Sequence, residues 1–288
     1  MNVALVTDST AYLPVELVER QGIRVVPLHV ILGGKQFSEG VDVTTAQVAA
    51  ALRKFTPVST SRPSPQAFLD VYEAAAAQGA DAVVSVHISA DMSGTVESAA
   101  LAASQSPIPV EVVDSRSMGM AMGYAVLSAA AAAGQGQDAK AVAAVARSRA
   151  GAATVIFYVD TLEYLRRGGR IGVASALLGS ALAIKPLLAL SDGHIAAIEK
   201  VRTSARALSR LEELALKAAG AAGEAGADIA VHHLDSLARA SDLVERLHSR
   251  VAPTSSVVLV ELGAVVGAHV GPGTIAVAVS PRLSADQE

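Results

Sequence analysis

The stretch Ala82–Val83–Val84–Ser85–Val86–His87–Ile88, followed by the polar run Ser89 to Ser93 and the helical run Gly94 to Ser104, decides how the fold is read. An apolar run of this length, stopped by polar residues, is a strand, and Ala-rich spacing after a Ser–Gly–Thr turn is a helix. The same order recurs on either side. Val3–Ala4–Leu5–Val6 is a buried strand stopped by Thr7–Asp8–Ser9–Thr10, and Pro14 starts a helix towards Arg20 with Gly22 as its stop. Ile23 to Leu32 is the next strand, Thr44 or Thr45 caps a helix through Phe55, and Ser64–Pro65 opens another. Val110 to Val113 is a strand, and two Ala-rich helices follow, split by Gly134–Gln135–Gly136. Strands alternating with helices imply parallel pairing, because a crossover helix must cover each sheet face. The first half therefore reads as an open doubly wound sheet, in which ligands sit beyond the carboxyl ends of the strands.

The second half has a different rhythm. Pro186 to Leu190 and Ile195 to Lys200 flank Ser191–Asp192–Gly193–His194, a hairpin loop. Strands at Val155 to Val159, Asp228 to Val231, Val257 to Val260 and Thr274 to Val279 are separated by helices around Leu208 to Ala218 and Ala238 to His248. The expectation is an α/β chain of two domains. Residues 1–150 form an N-terminal, mainly parallel sheet domain, and 151–288 a second domain with a mixed, partly antiparallel sheet.

Composition narrows the function. At 288 residues the chain suits two domains of ordinary size, and a net charge of −4 offers no basic field for nucleic acid. Cysteine is absent, which excludes disulfides and thiolate chemistry. Apolar residues are 51% of the chain, but much of that is Ala; the longest apolar candidate, Ala174 to Leu190, is broken by Lys185 and Pro186. No basic segment precedes the first apolar run, so the chain reads as soluble and cytoplasmic.

Several sites are excluded by their absence from the sequence. There is no G-x-x-x-x-G-K-[ST] loop, no strand-following G-x-G-x-x-G and no H-E-x-x-H. His232–His233 are neighbours on a strand and face opposite ways, so they cannot share a metal and read as a polar edge. What remains is hydroxyl groups at loop tips: Thr7 to Thr10, Ser59–Thr60–Ser61–Arg62–Pro63, Ser89 to Thr95, and Asp114–Ser115. A helix start with added hydroxyl donors suits a carboxylate or phosphate. Ser and Thr are equally the favoured helix caps, and Ser93 taken alone fits a cap as well as a ligand. His269, in Gly267–Ala268–His269–Val270–Gly271–Pro272–Gly273, is a rare polar group in an apolar, Gly-rich segment: either a ligand group or a His bonded to a carbonyl.

Taken in order, these segments resemble the DegV family of fatty-acid-binding proteins. The resemblance is carried by Val6–Thr7–Asp8–Ser9–Thr10 with Leu13–Pro14, Thr60–Ser61–Arg62–Pro63–Ser64–Pro65, Ser93–Gly94–Thr95 and Val113–Asp114–Ser115. It continues through Arg167–Gly168–Gly169–Arg170–Ile171, Lys185–Pro186, Glu199–Lys200–Val201–Arg202–Thr203, and His269 with Gly271–Pro272–Gly273. It implies a lipid-binding protein, not an enzyme, with one long-chain fatty acid enclosed between two domains and no cofactor. Carried over, Thr60 and Ser93 are the direct carboxylate donors, Ser61 the neighbouring alternative, Gly94 and Thr95 part of the same turn, and His269 the assisting group. Arg62 departs from the family's usual Gln, and either adds positive charge near the carboxylate or points to solvent. The resemblance also implies a separate fatty acid kinase that turns the carried acid into an acyl phosphate for phospholipid metabolism, with Arg170 and Arg202 facing it.

The energetics permit this. Burying ~16 carbons at ~0.8 kcal/mol per CH₂ gives roughly 12 kcal/mol gross, before ordering costs. An unpartnered buried carboxylate is costly, and two hydroxyls plus a His able to become cationic offset that cost. Small residues within Ala174 to Ala183, among them Gly179, Ser180 and Ala181, either line an acyl tunnel or pack helices. Two rivals stand beside the carrier: a serine esterase or thioesterase using Ser93 and His269, and a regulatory module sensing a carboxylated or phosphorylated metabolite.

Overall fold

The computed structural model describes residues 1–177 and 185–283. The strands in the first half are β1 (Val3–Asp8), β2 (Arg24–Val26), β3 (His29–Leu32), β4 (Lys35–Ser38), β5 (Val58–Ser61), β6 (Ala82–His87) and β7 (Val110–Asp114). They continue as β8 (Thr154–Tyr158), β9 (Lys185–Ser191), β10 (His194–Val201), β11 (Ala227–His233), β12 (Ser256–Glu261) and β13 (Ile275–Pro281). The chain divides into two compact units, Met1–His29 with Ser61–Ala152, and Val30–Thr60 with Ala153–Glu288. Residues 30–60 thus cluster with the C-terminal part of the chain.

In the first unit the sheet runs β2-β1-β6-β7, and every pair is parallel. Alternate residues of a strand face opposite sides. Ala4, Val6 and Val83 therefore meet Phe68, Tyr72, Ala99 and Ala102 of helices Pro65–Ala77 and Thr95–Ala103. Val3, Leu5, Val84 and Val86 meet Met122, Val126, Val142 and Ala143 of helices Met120–Gly134 and Ala139–Ala152. Burial on both faces is why β1 and β6 read as largely apolar runs. The chain leaves β1 for β2 on one side and β6 for β7 on the other. The carboxyl ends of β1 and β6 thus flank the topological switch point of this sheet.

The strand expected over Ile23 to Leu32 is two strands. Pro27 has no N–H to give a ladder, so β2 ends at Val26 and β3 begins at His29. β2 stays in the parallel sheet, whereas β3 joins a three-stranded sheet in the order β4-β3-β5. Thr44 caps helix Thr45–Arg53 with a reciprocal capping box to Gln47.

In the second unit the main sheet runs β10-β9-β8-β13-β11-β12, antiparallel except for β11 with β12. The β9–β10 hairpin turns on Asp192 and Gly193, both at positive φ (50° and 88°), the geometry a two-residue primed turn demands. Helices Ser204–Gly220 and Leu237–His248 cover one face through Leu211, Ala215, Leu243 and Leu247. His232 and His233 are not a polar edge: β11 lies between β13 and β12, and both residues are buried. Burial pushes His232 down to about 4, so it is neutral. No helix among the described residues is long and apolar enough to cross a membrane.

Candidate functional site

Within the second unit, Thr60 near the end of β5 meets His269 on the last turn of helix Ala264–Val270. Thr60 Oγ1 and His269 Nε2 are 2.8 Å apart. Ser61 follows on the strand and so projects to the other side; Thr60 is the member of the pair that reaches the imidazole. Two glycines make this approach possible. A Cβ at Gly168 would stand 2.1 Å from His269 Nδ1, and one at Gly271 would stand 2.0 Å from the Tyr164 ring. Gly271 also has a φ of 76°, which a side chain resists. The Gly-rich turn is tied down by Thr274 Oγ1, which donates to Gly271 O at 2.8 Å, and by Gly273 N, which donates to Leu234 O at 2.9 Å.

The His269 ring is neutral. Burial, then the positive charge of Arg170, pushes it down to about 4. An apolar, Gly-lined setting penalises the charged form. Its Nδ1 is buried and has no hydrogen-bond partner.

In the first unit, Ser93 does not cap the helix that follows it. The N-cap is Gly94, with no side-chain cap, and Ser93 Oγ lies 2.8 Å from Thr95 Oγ1. The turn is built from behind: Ser89 O accepts from Met92 N and Ser93 N at 3.0 and 3.1 Å. Arg62 is exposed to solvent and ion-paired there. Its guanidinium donates to Gly94 O at 3.1 Å and pairs with Glu97.

Other side-chain oxygens in these loops accept backbone N–H groups. Ser9 Oγ accepts from Leu28 N, Ser64 Oγ from Ala67 N, and Asp114 Oδ1 from Ala90 N and Arg116 N. Sequence reading missed a buried polar row under helix Pro65–Ala77. Tyr72 Oη donates to Ser85 Oγ at 2.9 Å, Ser85 Oγ lies 2.6 Å from His87 Nε2, and His87 Nδ1 lies 3.1 Å from Asp8 Oδ2. Asp8 also accepts from Ile88 N, Thr10 N and Thr10 Oγ1, so its carboxylate is saturated. The row joins the ends of β1 and β6 and holds the start of the Ser93 loop. The signal available in sequence was polar Ser85 and His87 at alternate positions of an apolar strand.

A profile of one protein family matches residues 2–282, and its description is "Uncharacterised protein, DegV family". The chain belongs to the DegV family. A DegV domain-containing protein of Streptomyces coelicolor is 51% identical over 281 residues, 98% of this chain and 99% of that protein. Among solved structures, one described as fatty acid binding of a DegV family protein from Thermus thermophilus is 36% identical. It superposes with a TM-score of 0.91 over 98% of this chain and 100% of that one. DegV from Bacillus subtilis, described as a fatty acid binding protein, is 31% identical with a TM-score of 0.89 over the same shares.

The remaining DegV motifs take these places. Arg166 and Arg167 both pair with Glu163, and Arg167 also stacks over Phe55. Arg170 donates to Gly168 O at 2.7 Å, and Lys185 Nζ to Asp160 O at 2.8 Å. Arg202 lines an open cleft of about 630 Å³ with Lys200, Arg206, Arg210, Glu199 and Glu213. Arg210 is spent on Glu199 and Glu213, which lifts its own pKa and depresses Glu199. Gly179, Ser180 and Ala181, the tunnel candidates, lie outside the described residues. Among the described residues no group of His, Asp and Glu side chains is arranged to hold a metal ion.

Proposed function

We propose that this chain binds a long-chain fatty acid, holds its carboxylate through hydroxyl groups, and presents it to a separate fatty acid kinase for acyl-phosphate formation. The observation that carries the reading is the Thr60–His269 pair: a hydroxyl at 2.8 Å from a neutral, largely buried imidazole in an apolar, Gly-lined setting. Such a group suits one carboxylate oxygen. Ser93, with Thr95 beside it and Gly94 N–H at the helix start, is the second donor. Solved relatives described as fatty acid binding support the ligand class. The cleft around Arg202, where Lys200 and Arg206 add cations beyond the Arg210 ion pairs, suits an acidic surface on the partner. Arg170 beside Gly168 would belong to that same face.

The contacts lend an esterase less support. Ser93 Oγ meets Thr95 and His269 Nε2 meets Thr60, and the other imidazole nitrogen has no carboxylate to orient it. Mass spectrometry of the purified protein tests the proposal. Co-purified long-chain acids are expected, and weaker lipid retention in Ser93→Ala with an unchanged fold. An empty protein, a small polar ligand, or unchanged retention together with unchanged acyl-phosphate formation would refute it.

A further inference from the structure

The contact between Thr60 and His269 has a direction that decides what the site can bind. If Nε2 carries the proton, His269 donates to Thr60 Oγ1, and the Thr60 hydroxyl proton must point elsewhere. If Nε2 is bare, Thr60 donates to it and offers a ligand only lone pairs. The 2.8 Å distance fits both.

Nδ1 settles the matter. It is buried without a partner, and it rests where a Cβ of residue 168 would be, 2.1 Å away. The polar groups of Gly168 have partners of their own. Its N–H donates to Tyr164 O at 2.9 Å, and its carbonyl accepts from Arg170 Nη1 at 2.7 Å. A proton on Nδ1 would be a buried donor facing no acceptor, a rarer defect in folded proteins than an underused acceptor. A doubly protonated ring would carry the same defect and face the Arg170 charge as well.

We propose that His269 is held as the Nε2–H tautomer, its bare Nδ1 lodged against Gly168, so that Thr60 is an obligate hydroxyl donor to the ligand. Gly168 and Arg170 are then positioning residues. The glycine admits the ring, and the arginine, which donates to that glycine's carbonyl, adds a positive charge that disfavours a second proton on the ring. An obligate donor calls for a head group that presents only acceptors at that point, which an ionised carboxylate does and an alkylammonium does not. The ligand part of this inference rests on the fatty-acid reading; the tautomer does not.

Long-range ¹H–¹⁵N correlation spectra of the full chain, labelled at histidine and assigned by loss of signals in His269→Gln, test it. At neutral pH, Nδ1 of His269 is expected in the unprotonated region and Nε2 in the protonated one. The reverse pattern, or two protonated nitrogens, overturns the proposal. Thr60→Ser should keep the fatty acid and Thr60→Val should weaken it by about tenfold or more. A chain-matched alkylamine that binds as well as the acid overturns the donor assignment. Failure of every acid to bind, with the Nε2–H pattern present, would sink the ligand reading and uphold the tautomer.

Discussion

Replacing Gly168 by Ala adds one methyl group at a backbone conformation, φ −74° and ψ −8°, that any residue adopts. On conformational grounds alone the change should stabilise the protein by about 0.4–1 kcal/mol, because alanine has fewer unfolded states to lose. The surroundings reverse the sign. The new Cβ would stand 2.1 Å from His269 Nδ1 and 2.9 Å from Cε1, so the imidazole must move. Overpacking of this kind costs about 1–3 kcal/mol, and a ring that swings off Thr60 forfeits roughly another 0.5–1.5 kcal/mol. The net expectation is a loss of about 0.5–4 kcal/mol. In a His269→Ala background the obstacle is gone, and the same Gly168→Ala change should become neutral or stabilising. Urea unfolding of the four proteins, followed by far-ultraviolet circular dichroism, gives the coupling between the two sites. Equal destabilisation in both backgrounds, or stabilisation in the parent chain, would refute the claim that Gly168 exists to admit His269.

Asp8→Asn keeps the shape but removes the charge and one of the acceptor oxygens that serve His87, Ile88 and Thr10. A stability loss of about 1.5–3 kcal/mol is expected, and an unchanged urea midpoint would show that the row contributes nothing. Burial pushes His232 and His269 down to about 4. Each therefore contributes stability that is fully present above its ordinary value near 6.5 and is lost as pH falls towards about 4. The urea midpoint should drop across that window, less steeply in His269→Gln; parallel curves would contradict this. Arg202→Ala should retain lipid and lose kinase-dependent turnover of the acid, and loss of both would place Arg202 at the lipid.

Local patterns were legible because they depend on near neighbours in the chain. The apolar runs at Val3–Asp8 and Ala82–His87 show burial on both faces. Asp192 and Gly193 encode a two-residue turn, and Ser64 and Thr44 name helix starts. Local pattern also misled where it was read too simply. A single strand over Ile23 to Leu32 ignored the missing N–H of Pro27, and two histidines on β11 were assigned to an edge when the strand is interior.

By itself, then, the sequence determined an α/β chain with a parallel first sheet, a mixed second sheet and hydroxyl-bearing turns, since periods of two and 3.6 residues are written along the chain. The tertiary structure alone decided the chemistry of those turns. Thr60 and His269 are 209 residues apart in sequence, and His87 and Asp8 are 79 apart. No local pattern specifies such a meeting. Whether a hydroxyl caps a helix or faces a ring, and whether an imidazole is charged or neutral, is set by the groups that folding packs around it. For His269 those groups are a glycine with no side chain and an arginine already spent on that glycine's carbonyl.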